Sequence, residues 1–339
     1  MLYSSVTIAP TAAGPGITIP MAPLTFRAAA AIFIPLALSD NARADADSLL
    51  TLQPPPSEAA TDEGRQKPPL FTAPKWTIQV EPVLWYVAPS GKVRLPVASG
   101  NGPGSFTTAG DEVRLERLNL DSPRFEPAGE VHLSAERWRF SFSGATYGID
   151  RDTTADSSFR LGSVVVAPGD ALNVDFSLTT VELTAGYCIW DRVFSGPFHT
   201  QRPDNAVDSL ARLYILGGAR IHSASFDLQR LSGSTPTPPS SASADEFFGE
   251  PIVGARLEIE IADDFTLDMQ LSGGVLPLGD KSSYSFDILV GFQWRPIENL
   301  GIQIGYRQLL YSLADGEDAS EFKYTGRLAG LFAGIVLRF

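Results

Sequence analysis

The feature that most constrains this chain is an apolar–polar alternation of period two. It begins at Trp76 and returns, segment after segment, to the last residue. Successive side chains of a strand point to opposite faces, whereas an amphipathic helix repeats its apolar positions roughly every 3.6 residues, so this pattern predicts strands. The clearest case is Pro251–Ile261, with Val253, Ala255, Leu257, Ile259 and Ile261 on one face and Gly254, Arg256, Glu258 and Glu260 on the other. Phe265, Leu267, Met269 and Leu271 then oppose Thr266, Asp268, Gln270 and Ser272. Phe286 to Trp294 and Leu300 to Tyr306 repeat the scheme.

Upstream the pattern continues. Trp76, Ile78, Val80, Pro82, Leu84 and Tyr86 share a face, and the opposite face loses polarity at Val83, Trp85 and Val87. Phe125, Val131 and Leu133 alternate with Glu126, Glu130 and His132, and Trp138, Phe140 and Phe142 with Arg139, Ser141 and Ser143. Val181 to Ile189 and Leu213 to Ala219 follow, and the parity change near Thr179-Thr180 reads as a bulge. With Arg327–Phe339 as the last, ten segments result, and a single-chain bacterial barrel takes an even number of strands.

Connections alternate in length. Ala135-Glu136-Arg137, Ala262-Asp263-Asp264 and Arg295–Asn299 are short, and residues 191–206 form a grown turn on the same side. Pro89–Arg124, Ile149–Ala171, Asp227–Glu250, Pro277–Ser283 and Ser312–Gly326 are long and rich in Gly, Ser, Pro and Asp. Periplasmic turns and extracellular loops differ in this way. The apolar face carries aromatic residues near the strand ends (Trp76, Tyr86, Trp138, Tyr187, Trp294, Tyr306), as interfacial girdles do. The other face interleaves Arg and Glu/Asp with Gly, which a closed cylinder hides from lipid. A soluble β-sandwich, the competing all-β architecture, explains neither. The expectation is an all-β fold, a transmembrane antiparallel up-and-down β-barrel of about ten strands over residues 76–339.

The N-terminus agrees with export. Arg27 precedes the apolar run Ala28–Leu38, and Ala42-Arg43-Ala44 follows as an A-x-A cleavage site. That run is too short to span a bilayer, so residues 1–44 read as a signal peptide, with Met21 as an alternative start. Residues 45–75, rich in Pro and Ser, read as a disordered periplasmic linker.

The chain closes on Gly334-Ile335-Val336-Leu337-Arg338-Phe339, which resembles the C-terminal assembly signal of bacterial outer-membrane proteins. Phe332 departs from that pattern, where a polar residue is usual. Together with Leu216–Ile221, Ile252–Leu257 and Ile304–Arg307, the region from Trp76 onward is similar to small bacterial outer-membrane β-barrel proteins of about ten strands. The resemblance implies an outer-membrane location, outer-membrane lipid and the barrel-assembly machinery as partners, and Gly334, Leu337 and Phe339 as the assembly signal. It lends no catalytic residues.

The interior charges are expected to be Glu81, Glu130, Arg139, Glu182, Arg212, Arg220, Arg256, Glu258, Glu260, Asp268, Asp287 and Arg307. Long side chains in a barrel this narrow meet across the lumen, giving a structural plug or a small pore whose selectivity these charges set. Segment Asp111–Asp121, with Val113, Leu115, Leu118 and Leu120, either folds into that plug or caps the barrel. An adhesin or receptor acting through the long loops is a second class. A rim-located hydrolase is a third, for which His222 with Ser223 and Ser225 is the candidate group; His132 reads as an interior residue and His199 as part of a periplasmic connection.

No G-x-S-x-G, H-E-x-x-H or Walker motif occurs, Gly100–Gly104 lacks a following helix and lysine, and Asp315–Asp318 is too short for an EF-hand loop. With 39 Asp+Glu against 26 Lys+Arg, the chain lacks a nucleic-acid footprint. Its one cysteine, Cys188, permits no internal disulfide and reads as a buried small residue. No enzyme activity, cofactor or metal site is expected from these spacings.

Overall fold

The computed structural model describes residues 76–97, 106, 108–196, 207–232, 239–261 and 264–339. The signal-peptide and linker expectations, Gly100–Gly104, His199 and Ala262-Asp263 fall outside them. Ten long strands form the frame: β1 (Thr77–Arg94), β2 (Arg124–Ala135), β3 (Trp138–Thr154), β4 (Ala171–Gly196), β5 (Val207–Ser232), β6 (Ser241–Ile261), β7 (Phe265–Leu278), β8 (Lys281–Ile297), β9 (Leu300–Asp315) and β10 (Phe322–Arg338). Each pairs antiparallel with its sequence neighbours, and β10 returns to pair with β1, so the sheet closes into an up-and-down ring.

The closing seam runs from Gln79↔Arg338 to Arg94↔Lys323. Gly334 lies within it, and a Cβ there would stand 2.3 Å from the Pro82 carbonyl oxygen. The terminal residue also joins the ladder: Ile78 N–H donates to the Phe339 carbonyl (3.0 Å) and Phe339 N–H to the Ile78 carbonyl (2.8 Å). Phe332 packs inward over Gly305, whose Cβ would come within 2.3 Å of the ring. That explains the departure from a polar residue at this position, since the aromatic side chain fills the space the glycine leaves.

The short connections are turns where described, and shorter than expected: residues 191–196, expected in a grown turn, continue β4 and pair with β5, and Arg295–Ile297 continue β8. Ala135 pairs with Trp138, so Glu136-Arg137 alone make a turn, with Glu136 at φ 51°. Ile297 pairs with Leu300 around Glu298-Asn299. The long connections need correcting. Pro277–Ser283, expected as a loop, is a continuous hairpin in which Leu278 faces Lys281 around Gly279-Asp280. Gly279 sits at φ 60°, a left-handed value that suits glycine. The other long connections also shorten, because strands continue deep into them.

These extended strands explain the parity change near Thr179-Thr180. No bulge exists there: β4 pairs with β3 and β5 without interruption through that point, and its irregularities lie at Ala171/Leu172 and Cys188/Trp190 instead. What changes is the chemistry of the two faces. Along β4, Leu183 and Tyr187 face outward while Glu182 and Thr184 are buried inside. Further up, Asp175 and Thr179 face outward while Val174, Phe176 and Leu178 are buried. β5 does the same, passing from inward Arg220 and His222 to inward Ala224, Phe226 and Leu228, while Ile221 outside gives way to Ser223 and Asp227. The barrel thus has a lower half, greasy outside and polar inside, and an upper half of the opposite sense.

Strands of up to 26 residues fit this division, because a membrane crossing takes only about 9–11 tilted strand residues. The remainder stands above the bilayer, where Asp111–Asp121 folds inward. Val113, Leu115, Leu118 and Leu120 are fully buried, and Leu115–Leu118 make a turn of 3-10 helix. A small hairpin, Phe159–Leu161 with Val164–Val166, buries Phe159, Leu161, Val164 and Val166 in the same core. Asp111 joins the two insertions, its N–H donating to the Arg160 carbonyl and its carboxylate accepting from Arg160 N–H, both at 2.8 Å. Beside them, Lys323 donates to Glu112 (3.0 Å), and this hydrogen bond with the nearby Arg94 and Lys92 charges lowers the Glu112 carboxyl below its ordinary range.

The belt of the lower half is the surface a bilayer requires. Leu183, Ile215, Val253, Ile304 and Leu331 are each more than half exposed, and all six girdle aromatics expected from the sequence face outward. In lipid no water satisfies an unpaired N–H or C=O, and a closed barrel leaves none at a strand edge. The chain is therefore an outer-membrane β-barrel. In a background with Cys188 replaced by Ala, a cysteine at Leu331 or Ile304 will react with a thiol probe confined to the bilayer, one at Gln229 with a water-soluble probe, and one at Ser272 with neither; labelling at Ser272 by the lipid probe would invert the assignment. Unheated protein will also migrate differently from boiled protein on gels.

Candidate functional site: the charged lumen

The lower half owes its polar interior to strand alternation, which turns one residue in two inward. The twelve expected interior charges all lie there. Arg212 and Glu260 are the most exposed of these, pairing at 3.3 Å near the periplasmic mouth with side chains 28% and 20% accessible. The rest are closely packed. Arg139 of β3 reaches Glu258 of β6. Arg256 holds Asp268, with Nε–H donating to Oδ1 at 2.8 Å, and donates to Gln270 at 3.2 Å. Arg307 makes a two-pronged contact with Asp287, at 3.2 and 2.7 Å.

Arg220, with no accessible surface, is the hub. It donates to Glu182 Oε2 from Nε (2.9 Å) and Nη2 (2.6 Å), and to Ser272 (2.7 Å) and Ser285 (2.5 Å). Asp287 lies 3.6 Å away. The bonds to Ser272 and Ser285 tie β5 to β7 and β8, strands it does not pair with, so they cross the lumen. Other contacts do likewise: Gln293 of β8 donates to Glu81 of β1 (3.1 Å), and Thr180 of β4 bonds Tyr311 of β9 (3.1 Å). A cavity lined by Glu81, Glu130, Asp268, Gln303 and Arg307 holds about 30 Å³, on the scale of a single water.

Several interior groups were not singled out in the sequence as members of the network. Glu126 and Glu250 are buried inward-facing carboxylates, and Arg295 donates to Thr266 (3.1 Å) near the periplasmic end. Gln79, Gln293 and Gln303 complete the lowest layer. Parity alone would have found Glu126 and Gln293. Glu250 sits beyond the expected start of its strand, and Arg295 lies in an expected turn. His132 is buried between Glu81 and Glu130, with Nε2 3.5 and 3.0 Å from their oxygens.

The structure does not assemble the rim group considered for hydrolysis. His222 is wholly buried, with Nδ1 3.1 Å from Thr180 and Nε2 3.4 Å from Glu250. Ser223 and Ser225 project from the opposite face of β5, outside the barrel. Alternation separates residue 222 from 223 and 225, so their closeness in sequence joins nothing. Cys188 is buried, its Sγ–H donating to the Trp190 carbonyl.

Removing one partner from such a network strands a buried charge, which typically costs about 3–5 kcal/mol. Arg220→Met is expected to destabilise the folded barrel by about that much, and adding Glu182→Gln to recover part of the loss. Urea unfolding in lipid vesicles, followed by tryptophan fluorescence, measures both; a double variant no more stable than the single one would contradict this.

No family model matches the sequence, and no curated protein matches it either. Solved structures similar in architecture include the outer membrane protease OmpT of Escherichia coli, at 11% identity and a TM-score of 0.42, over 78% of this chain and 97% of that one. Neisserial surface protein A (NspA) gives 16% identity and 0.27, over 78% and 98%. Ail, the attachment invasion locus protein of Yersinia pestis, gives 12% and 0.28, over 77% and 99%. The overlap is too low to carry any assignment of activity.

Proposed function

We propose that this protein is a closed, non-conducting outer-membrane barrel that anchors a rigid extracellular β-cylinder and performs no catalysis of its own. The observation that carries this reading is the set of side-chain bonds across the lumen, from Arg139 to Glu258 and from Arg220 to Ser272 and Ser285. Above them lies the apolar core containing Leu115, Leu118, Phe176 and Phe226. An ion would have to break buried pairs and then cross a greasy layer, two barriers of different chemistry in series. Outer-membrane lipid is the partner of the apolar belt. The barrel-assembly machinery is the partner of the last strand, with Gly334, Leu337 and Phe339 as its signal.

Planar-bilayer recording of refolded protein tests the reading. The wild type is expected to be electrically silent, and so are Arg256→Ala and Glu258→Ala, because the apolar core remains above them. Ohmic single-channel steps in the wild type, altered by these substitutions, would instead establish the narrow pore.

A second reading, a surface adhesin or receptor, is favoured by one observation. The strands carry an ordered polar outer face, including Asp150, Asp175, Asp227 and Asp245, above the membrane belt. Such a face is preformed, unlike a mobile loop, and suits contact with another surface. Shortening the β7–β8 and β5–β6 hairpins back to the belt would abolish adhesion while leaving the barrel folded.

A further inference from the structure

We propose that Glu81, Glu130 and His132 form a binding site for one divalent transition-metal ion, zinc in the first instance. The three residues offer one nitrogen and two oxygens that lie within 4.8 Å of one another. Glu81 of β1 and Glu130 of β2 are direct partners across the ladder. Like charges placed opposite one another destabilise a sheet unless something positive stands between them. His132 follows two residues later on β2 and so turns to the same interior.

His132 is the second, independent sign. It is 99% buried, and its Nε2 has no hydrogen-bond partner of acceptable geometry. Yet that atom points into the pair, 3.0 Å from Glu130 Oε2 and 3.5 Å from Glu81 Oε1. Its other nitrogen, Nδ1, is 2.8 Å from Ser141 Oγ. With Nδ1 donating to that hydroxyl, Nε2 presents a lone pair to two carboxylates; Gln79 and Gln293 donate to Glu81 Oε1, but no donor reaches His132 Nε2. A hydrogen-bonded distal nitrogen is how metal-bound histidines are held.

Distances and charge both favour an ion. Bonds of about 2.0–2.2 Å place ligand atoms roughly 3.3–3.6 Å apart around a tetrahedral zinc ion; Nε2 already stands 3.5 Å from Glu81 Oε1, and its 3.0 Å approach to Glu130 Oε2 opens by a few tenths of an ångström when the ion enters. Below the apolar core, and apart from the pairs Arg124–Glu126 and Arg212–Glu260, Glu81, Glu130, Glu182, Glu250, Glu258, Asp268 and Asp287 face Arg139, Arg220, Arg256, Arg295 and Arg307, seven carboxylates against five guanidiniums. A divalent ion at this site removes that excess of two. Arg256 lies 3.7 Å from Glu130, but its shorter bonds go to Asp268 and Gln270. The 30 Å³ cavity bordered by Glu81, Glu130 and Gln303 offers room for a water as a further ligand. Glu81 stands close to the periplasmic end of β1, which begins at Thr77, so the ion reaches it from the periplasm.

The experiment uses the mature chain folded in detergent, stripped with EDTA, reloaded with Zn²⁺ or Co²⁺ and dialysed. Elemental analysis is expected to find one ion per chain, and Co²⁺ to give visible absorption bands. Glu130→Gln and His132→Gln are expected to lower the bound ion at least tenfold while keeping the gel-mobility shift of the folded barrel, and His222→Gln to leave it unchanged. Uptake below a tenth of an ion per chain by the wild type, or equal uptake by all variants, overturns the proposal, the former leaving the histidine proton as the compensating charge. If the two variants fail to fold, X-ray absorption at the zinc edge of the wild type decides: a shell of oxygen and nitrogen atoms with a single imidazole supports the site, and a shell without imidazole overturns it.

Discussion

Closure is the constraint on which the rest of this molecule depends. In hydrocarbon each unpaired backbone N–H or C=O costs several kcal/mol, so the first and last strands must meet. They do so over most of the length of β1, from Gln79 to Arg94. The residues at this seam are chosen for approach rather than for chemistry: Gly334 allows the strand to come close to Pro82, and Phe339 completes the last pair of bonds with Ile78. Once the ring is shut, strand alternation decides which side chains see lipid and which see one another.

The polar lumen then follows from a shortage of alternatives. A ring of ten strands leaves an interior narrow enough for long side chains to span it, and guanidiniums can satisfy several acceptors at once. Arg220 illustrates this, meeting Glu182, Ser272 and Ser285 from three other strands. Buried ion pairs of this kind are weak evidence for stability in themselves. Their clearer effect is on shape, because Arg139 and Arg220 fix the positions of strands that do not pair with one another.

Much of this was legible in the sequence, because period two is a direct signature of strands and the charged face identified itself in segments such as Pro251–Ile261. The ring of ten, its direction and the twelve interior charges could be read from parity alone. The upper half could not. There, Ser, Asp and Pro occupy outward positions and apolar residues the inward ones, so composition suggested loops at Pro277–Ser283 and a bulge at Thr179-Thr180. Both follow from one physical fact, that solvent outside the strand changes from lipid to water partway along it. Contacts between distant strands were also hidden. Nothing in spacing brings Arg139 of β3 to Glu258 of β6, strands that do not pair with one another.

The reversal of the two halves has a consequence for how the chain finds its pairing. Sliding one strand past its neighbour by a single position exchanges its two faces. In an ordinary barrel such a mistake is penalised only where the strand crosses the membrane. Here it would thrust Arg220 or Glu182 into acyl chains and, on the same strands, Phe226 or Phe176 into water. Two independent penalties therefore guard one alignment, and a misfolded intermediate that satisfies either medium must offend the other.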